Sequence, residues 1–326
     1  MKRPVFIVGC GRSGTALLYH TLLSAGGFAE FRTQMNVFDV LGPMYGDLRR
    51  AETRQRMMKM WLDSMAFQRS GLDAKQIEER ILSECRSSTD FQQIVFDEIA
   101  RKQNVDRWAD STPTNIYHLR EIKAGIPNAL FIHIIRDGRN VALSLDAHGW
   151  SHPLFWEKDM GVMAAGLYWK WTILRGRREA AEVNGGYIEI LYEDLLIKPR
   201  QTLATLSDFL DHDLDYDTIQ SSAIGALKNP PTSFTEELEK GQFDPLNRWK
   251  RLLSQEQLLL FESLVGDLMI ELGYELATPR EQLRRSFTVK RMQAIYPRLF
   301  DLKQWTRKHP LITRSLVDYD GILIDK

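Results

Sequence analysis

Apolar residues gather into three short runs, at 5–8, 129–135 and 187–192, each followed by polar or glycine-bearing sequence. Runs of this length with such boundaries predict buried strands. Between them the period changes. Leu17, Leu18, Leu22 and Leu23 recur at helical spacing. Residues 46–105 are mostly helical and charged, in segments at 49–60, 74–85 and 91–101. A further helical pattern in 152–182 carries Trp156, Tyr168, Trp169 and Trp171, aromatics that more often pack a core than cage a substrate. Strands alternating with helices predict an α/β fold, a parallel sheet flanked by helices. Residues 46–105 and 152–182 then read as helical insertions. No internal repeat or low-complexity linker breaks the chain, so the expected organisation is one domain over 1–279 and a basic helical extension over 280–326.

The first strand runs into Gly9-Cys10-Gly11-Arg12-Ser13-Gly14-Thr15-Ala16, and the leucine-rich helix starts there. A strand, a glycine-rich turn and a helix N-terminus form an anion site, because free N–H groups and the helix dipole face the ligand. Gly9 and Gly14 have the spacing of a nucleotide-binding P-loop, but Thr15 stands where that motif requires lysine. Arg12 is the loop's cation. A phosphate or sulfate ester fits such a loop without a metal. The plain alternative is a glycine-rich turn with no ligand.

The chain of 326 residues, 44% hydrophobic, can bury a full core. Lys+Arg and Asp+Glu are 43 each, so no overall field favours nucleic acid. Two cysteines, Cys10 and Cys85, make no disulfide framework and point to a reducing compartment. The apolar stretch near the N-terminus is too short for a signal peptide, and no run reaches the roughly 20 residues of a membrane span. A cytoplasmic location is expected.

The run at 131–135 leads into Arg136-Asp137-Gly138-Arg139-Asn140-Val141-Ala142-Leu143-Ser144. Arg136 at the strand end and Ser144 on the next helix fall at the sheet's carboxyl edge, where open α/β sheets bind ligands. A guanidinium fork suits a phosphate and a hydroxyl adds a neutral donor. Alone, these would be a surface arginine and a helix serine.

Together, the motifs resemble the sulfotransferases that use 3′-phosphoadenosine 5′-phosphosulfate (PAPS), over about residues 4–275. Gly11, Arg12, Ser13, Gly14, Thr15 and Ala16 resemble their 5′-phosphosulfate loop. Arg136 and Ser144 have the spacing of their 3′-phosphate pair. Tyr192-Glu193-Asp194-Leu195 is similar to the motif after their last core strand, whose tyrosine lies by the adenosine. Asp110-Ser111-Thr112-Pro113 resembles an acidic-Lys-Thr-Pro segment, with serine in place of lysine. Arg248-Trp249 resembles a late basic-Trp pair of the tyrosylprotein-type members. The resemblance implies a P-loop NTPase-like sulfotransferase fold and sulfuryl transfer from PAPS to a hydroxylated acceptor, with no metal. Carbohydrate, lipid, peptide and small molecule all remain open as acceptors.

The resemblance also implies a carboxylate base a little over twenty residues after the loop cation. Thr33 or Gln34 falls there, and neither is a base. Glu30 needs only a short shift and is the favoured base; Asp39, Asp110, His148 and His152 are further candidates. If Gln34 replaces the base, a protein that binds PAPS without transfer is an alternative, and a P-loop kinase is another. The segment 280–326 carries eleven Lys and Arg against five Asp and Glu, with Phe287, Tyr296, Phe300 and Trp305 interspersed. Such a tail suits contact with a membrane surface, an anionic acceptor or a second subunit, or plain packing on the domain.

Overall fold

A computed structural model describes residues 1–222, 241 and 244–308. Five parallel strands form one sheet: β1 (Val5–Val8), β2 (Phe28–Ala29), β3 (Arg107–Asp110), β4 (Leu130–Ile135) and β5 (Tyr187–Leu191), in the order β2-β3-β1-β4-β5. The expected α/β sheet is there, with two strands more than the apolar runs marked. β2 has only two residues, and β3 begins and ends on charged side chains, Arg107 and Asp110, so neither leaves an apolar run. The third run ends as a strand at Leu191, and Tyr192 opens a short helix, Tyr192–Ile197.

Alternation along the strands divides the core, as side chains on a strand point to opposite faces. Phe6 and Val8 of β1, with Phe131 of β4, face the helices that precede β3: α1 is Thr15–Ala25, α2 Ala51–Leu62, α3 Ala74–Glu84 and α4 Ser88–Lys102, and the last three pack on this face. Val5, Ile7, Ile132 and Ile134 face the other way, against Leu17, Leu18 and Leu22 of α1. A third cluster joins α5 (Gly138–Ala147), α6 (Gly161–Ala180), α7 (Gln255–Glu271) and α8 (Phe287–Arg307).

Helix α8 belongs to the basic extension. Ser286 caps its start, accepting a hydrogen bond from the Val289 N–H, and it buries Val289, Met292 and Tyr296 against α6 and α7. The far end of the tail, 309–326, lies outside the described residues, as do Arg314 and Lys326. Among the described residues no helix is long and apolar enough to cross a membrane.

Candidate active site

β1 and β4 are neighbours, with Val8 opposite His133, so the turns that follow them sit side by side at the sheet's carboxyl edge. After β1 the chain must bend sharply into α1. Gly14 makes this bend at φ +100°, and a Cβ there would lie 2.4 Å from the Tyr192 ring. Only glycine accepts both demands. Arg12 also has positive φ, 71°, a strained conformation for a residue with a side chain. Its Nε donates to Ser144 Oγ at 2.8 Å, and its guanidinium lies 5.7 Å from the Trp150 ring centre.

The turn after β4 is fixed by a buried charge network. Arg139 is paired with Asp137 at 2.7 Å and with Glu262 of α7 at 2.9 Å. Glu193 accepts from the Asp137 N–H and from the Tyr274 hydroxyl. Arg136 is thereby aimed back at the loop: it stacks 4.3 Å from the Tyr192 ring centre and donates to the carbonyls of Arg12 and Pro245. Asn140 donates to the Pro245 and Leu246 carbonyls and accepts from the Trp249 N–H, which positions the segment bearing Arg248. Burial lowers the pKa of Arg12, and the positive charges of Arg136 and Arg248 lower it further. Arg12 thus lies within repulsive reach of two other guanidiniums, an arrangement that an anion would relieve.

These groups border one cavity of about 590 Å³. Gly11, Arg12, Gly14, Thr15, Ala16, Arg136, Ser144, Tyr192 and Arg248 all line it. Ser13 does not, but its hydroxyl is buried in the loop without a hydrogen-bond partner, as is Arg136 Nε. Ser144 Oγ accepts from Arg12, and Ser144 and Arg136 both line the cavity.

Glu30 is not brought to the cavity, which corrects the expected base. It follows β2, which β3 separates from β1 in the sheet, and it does not line the cavity. Gln103 holds its backbone N–H and C=O, and its half-exposed carboxylate pairs with Arg32 at 2.8 Å. Asp110 is buried among Gln92, Thr112 and Asn115, and Asp39 is bonded to His118. His148 bonds the Ser144 carbonyl and does not line the cavity. Gln34 does line it, and so does His152. Desolvation lowers the His152 pKa, and Lys303 and Arg307 lower it further, which favours the neutral imidazole, the form that accepts a proton.

The remaining wall was not among the residues the motifs singled out. Much of it comes from Trp150, from Ala164, Ala165, Tyr168 and Trp171 of α6, and from Tyr296, Leu299, Phe300, Lys303, Gln304 and Arg307 of α8. The helical spacing of 296, 299, 300, 303, 304 and 307 is a signal in the sequence that one face of α8 is used.

Fold and site together define an α/β protein with an anion cradle at a glycine-rich loop. Residues 4–217 match the family model described as "Sulfotransferase family", and the chain belongs to the sulfotransferase family. No curated protein matches it. Among solved structures it is similar to the sulfotransferase domain from the curacin biosynthetic pathway, at 18% identity and a TM-score of 0.55, over 85% of this chain and 99% of that one. It is also similar to the sulfotransferase domain of the Synechococcus PCC 7002 olefin synthase, at 19% identity and a TM-score of 0.53, over 85% and 97% of the two chains. At these identities the likeness is one of fold.

Proposed function

We propose that this chain transfers a sulfuryl group from PAPS to a hydroxyl of an acceptor bound in the same cavity. The observation that carries the reading is the anion cradle itself: the buried, unpartnered Ser13 hydroxyl and Arg136 Nε beside three convergent arginines. In this reading the loop N–H groups, Ser13 and Thr15 hold the 5′-phosphate. Arg136 and Arg248 meet the 3′-phosphate, with Ser144 beside Arg12, and Tyr192 lies by the adenosine. Arg12 stabilises the oxygen bridging phosphorus and sulfur as its bond to sulfur breaks and it takes the electron pair. The acceptor oxygen forms the new bond to sulfur, and its proton passes to His152. The two free, buried cysteines suit a cytoplasmic setting.

Gln34 in the cavity supports a second reading, a protein that holds PAPS without transferring its sulfuryl group. Calorimetric titration with 3′,5′-bisphosphoadenosine against AMP tests the cradle that both readings need. Binding at about micromolar or tighter that requires the 3′-phosphate, and that Arg136→Ala weakens, is the expected result. Equal binding of AMP would overturn both, and release of the bisphosphate from PAPS with an acceptor present separates them.

A further inference from the structure

Among the described residues, those lining the cavity include five cations, Arg12, Arg136, Arg248, Lys303 and Arg307, and no Asp or Glu. Three of these belong to the cradle. The other two come from α8, outside the cradle, beside His152.

The face of α8 toward the cavity changes character along its length. Tyr296, Leu299 and Phe300 come first, then Lys303 and Gln304, then Arg307. Phe300 packs 5.4 Å from Tyr168 and 5.6 Å from Trp171, so α6 and α8 form an aromatic sleeve that ends in positive charge. Lys303 and Arg307 are spaced i, i+4, a like-charge pair that destabilises a helix by itself. A cation in the last turn of a helix is favoured by its dipole, but the dipole does not require both to line a cavity. Arg307 also lowers the pKa of the buried Asp39, whose carboxylate is bonded to His118. The ordering is tied down: the Tyr296 hydroxyl accepts from the Leu154 N–H and donates to Glu157, and Arg291 pairs with Glu157, so α8 holds the segment carrying Trp150 and His152.

We propose that the acceptor is a hydroxylated amphiphile with an acidic group, its apolar body between α6 and α8 and its anion met by Lys303 and Arg307. The inference rests on the sulfotransferase reading for the word acceptor, while the anion subsite stands on its own residues.

The test is calorimetric titration with 12-hydroxydodecanoate and with 1,12-dodecanediol, both below their aggregation concentrations, with and without 3′,5′-bisphosphoadenosine. The acid is expected to bind about 10–100-fold tighter than the diol, as a charge-assisted contact implies. Lys303→Gln should reduce that preference and Lys303→Glu should abolish or invert it, with diol binding retained as evidence of an intact fold. Equal affinity for acid and diol, or no saturable binding of the acid, overturns the proposal. A preference that survives Lys303→Glu removes the subsite from α8. Failure of bisphosphoadenosine to bind sinks the sulfotransferase reading instead, and the acid–diol comparison made without it still decides the subsite.

Discussion

One end of the cavity is built around the turn between β1 and α1, joined there by Arg136, Tyr192 and Arg248, whereas the wall of the other end takes its residues from α6 and α8, elements far apart in the sequence. The turn works largely through its backbone: a left-handed glycine, a strained Arg12 and the first N–H groups of a helix. The wall works through side chains, a sleeve of aromatic rings leading to two cations. Backbone chemistry of the first kind leaves a local signature that any chain with the same task must repeat. Side-chain walls of the second kind exist only after two helices have packed, and many sequences can build them. One end can therefore be held to a common donor while the other is free to differ in acceptor.

The widest break between the two ends should come at His152, which lies with Lys303 and Arg307. His152→Gln is expected to lower kcat/KM with 12-hydroxydodecanoate as acceptor by about 10²–10⁴-fold at neutral pH. The profile of kcat/KM against pH carries the finer test. Activity needs the neutral imidazole, so the native rate should rise through a midpoint below about 6.5, the ordinary histidine value, because burial and the two cations lower this pKa. That limb should vanish in the variant. An unchanged rate would place the base on another group. At the donor end, Arg12→Ala should cost about 10²–10³-fold in kcat, the usual loss for one preorganised donor. Affinity for 3′,5′-bisphosphoadenosine should fall by less, since Arg136 and Arg248 remain; an equal fall in both would make Arg12 a binding residue only.

How much could be read without the structure follows the same division. That the loop, the β4 turn, Tyr192 and Arg248 would meet at one cavity was legible, because each is a short string whose neighbours in space are set by strand ends. The place of Glu30 outside that cavity was not. Glu30 is close to Arg12 in sequence, but strand order decides the matter, and β2 and β3 carry too few apolar residues to announce themselves. Tyr168 and Trp171 were expected to serve as packing, and they pack while also lining the cavity. The use of α8 was hidden for another reason. Its stripe at 289, 292, 296, 299, 300, 303 and 307 is one continuous helical face, but the spacing does not say whether that face meets the cavity, the domain or a second subunit.

Two glycines in the loop sharpen the claim that the donor end is a backbone device. Gly14→Ala meets both a positive φ and a Cβ 2.4 Å from the Tyr192 ring, so it strains the bend and displaces a cavity residue. Strain of about 1–3 kcal/mol should appear as roughly 5–150-fold weaker bisphosphoadenosine binding and a lower Tm. Gly11→Ala adds its Cβ where no atom lies within 4 Å, so its Tm should stay at the native value. Equal losses of Tm at the two positions would mean that the loop tolerates side chains everywhere or nowhere, against a bend held at one residue.

The smallest effect is expected behind the wall, where His118 accounts for the position of a segment that neither end supplies. Gln34 and Asn36 line the cavity just before the turn of helix at Val37–Leu41, and Asp39 in that turn is bonded to His118 at 3.2 Å. Burial alone would lower the pKa of His118, but its hydrogen bonds and charge pairing with Asp39 and Glu121 outweigh burial and raise it to about 9. The unfolded chain keeps the ordinary value near 6.5. A folded-state pKa above the unfolded one means the pair stabilises the protein fully below about pH 6.5, and that contribution is lost as pH rises through about 9. His118→Gln should therefore lower Tm by a few degrees at pH 6, and the gap from the native protein should narrow toward pH 10. A gap of constant size across that range would assign His118 to packing against Phe38, 5.7 Å away and stacked, and remove charge from the account of how this side of the cavity is held.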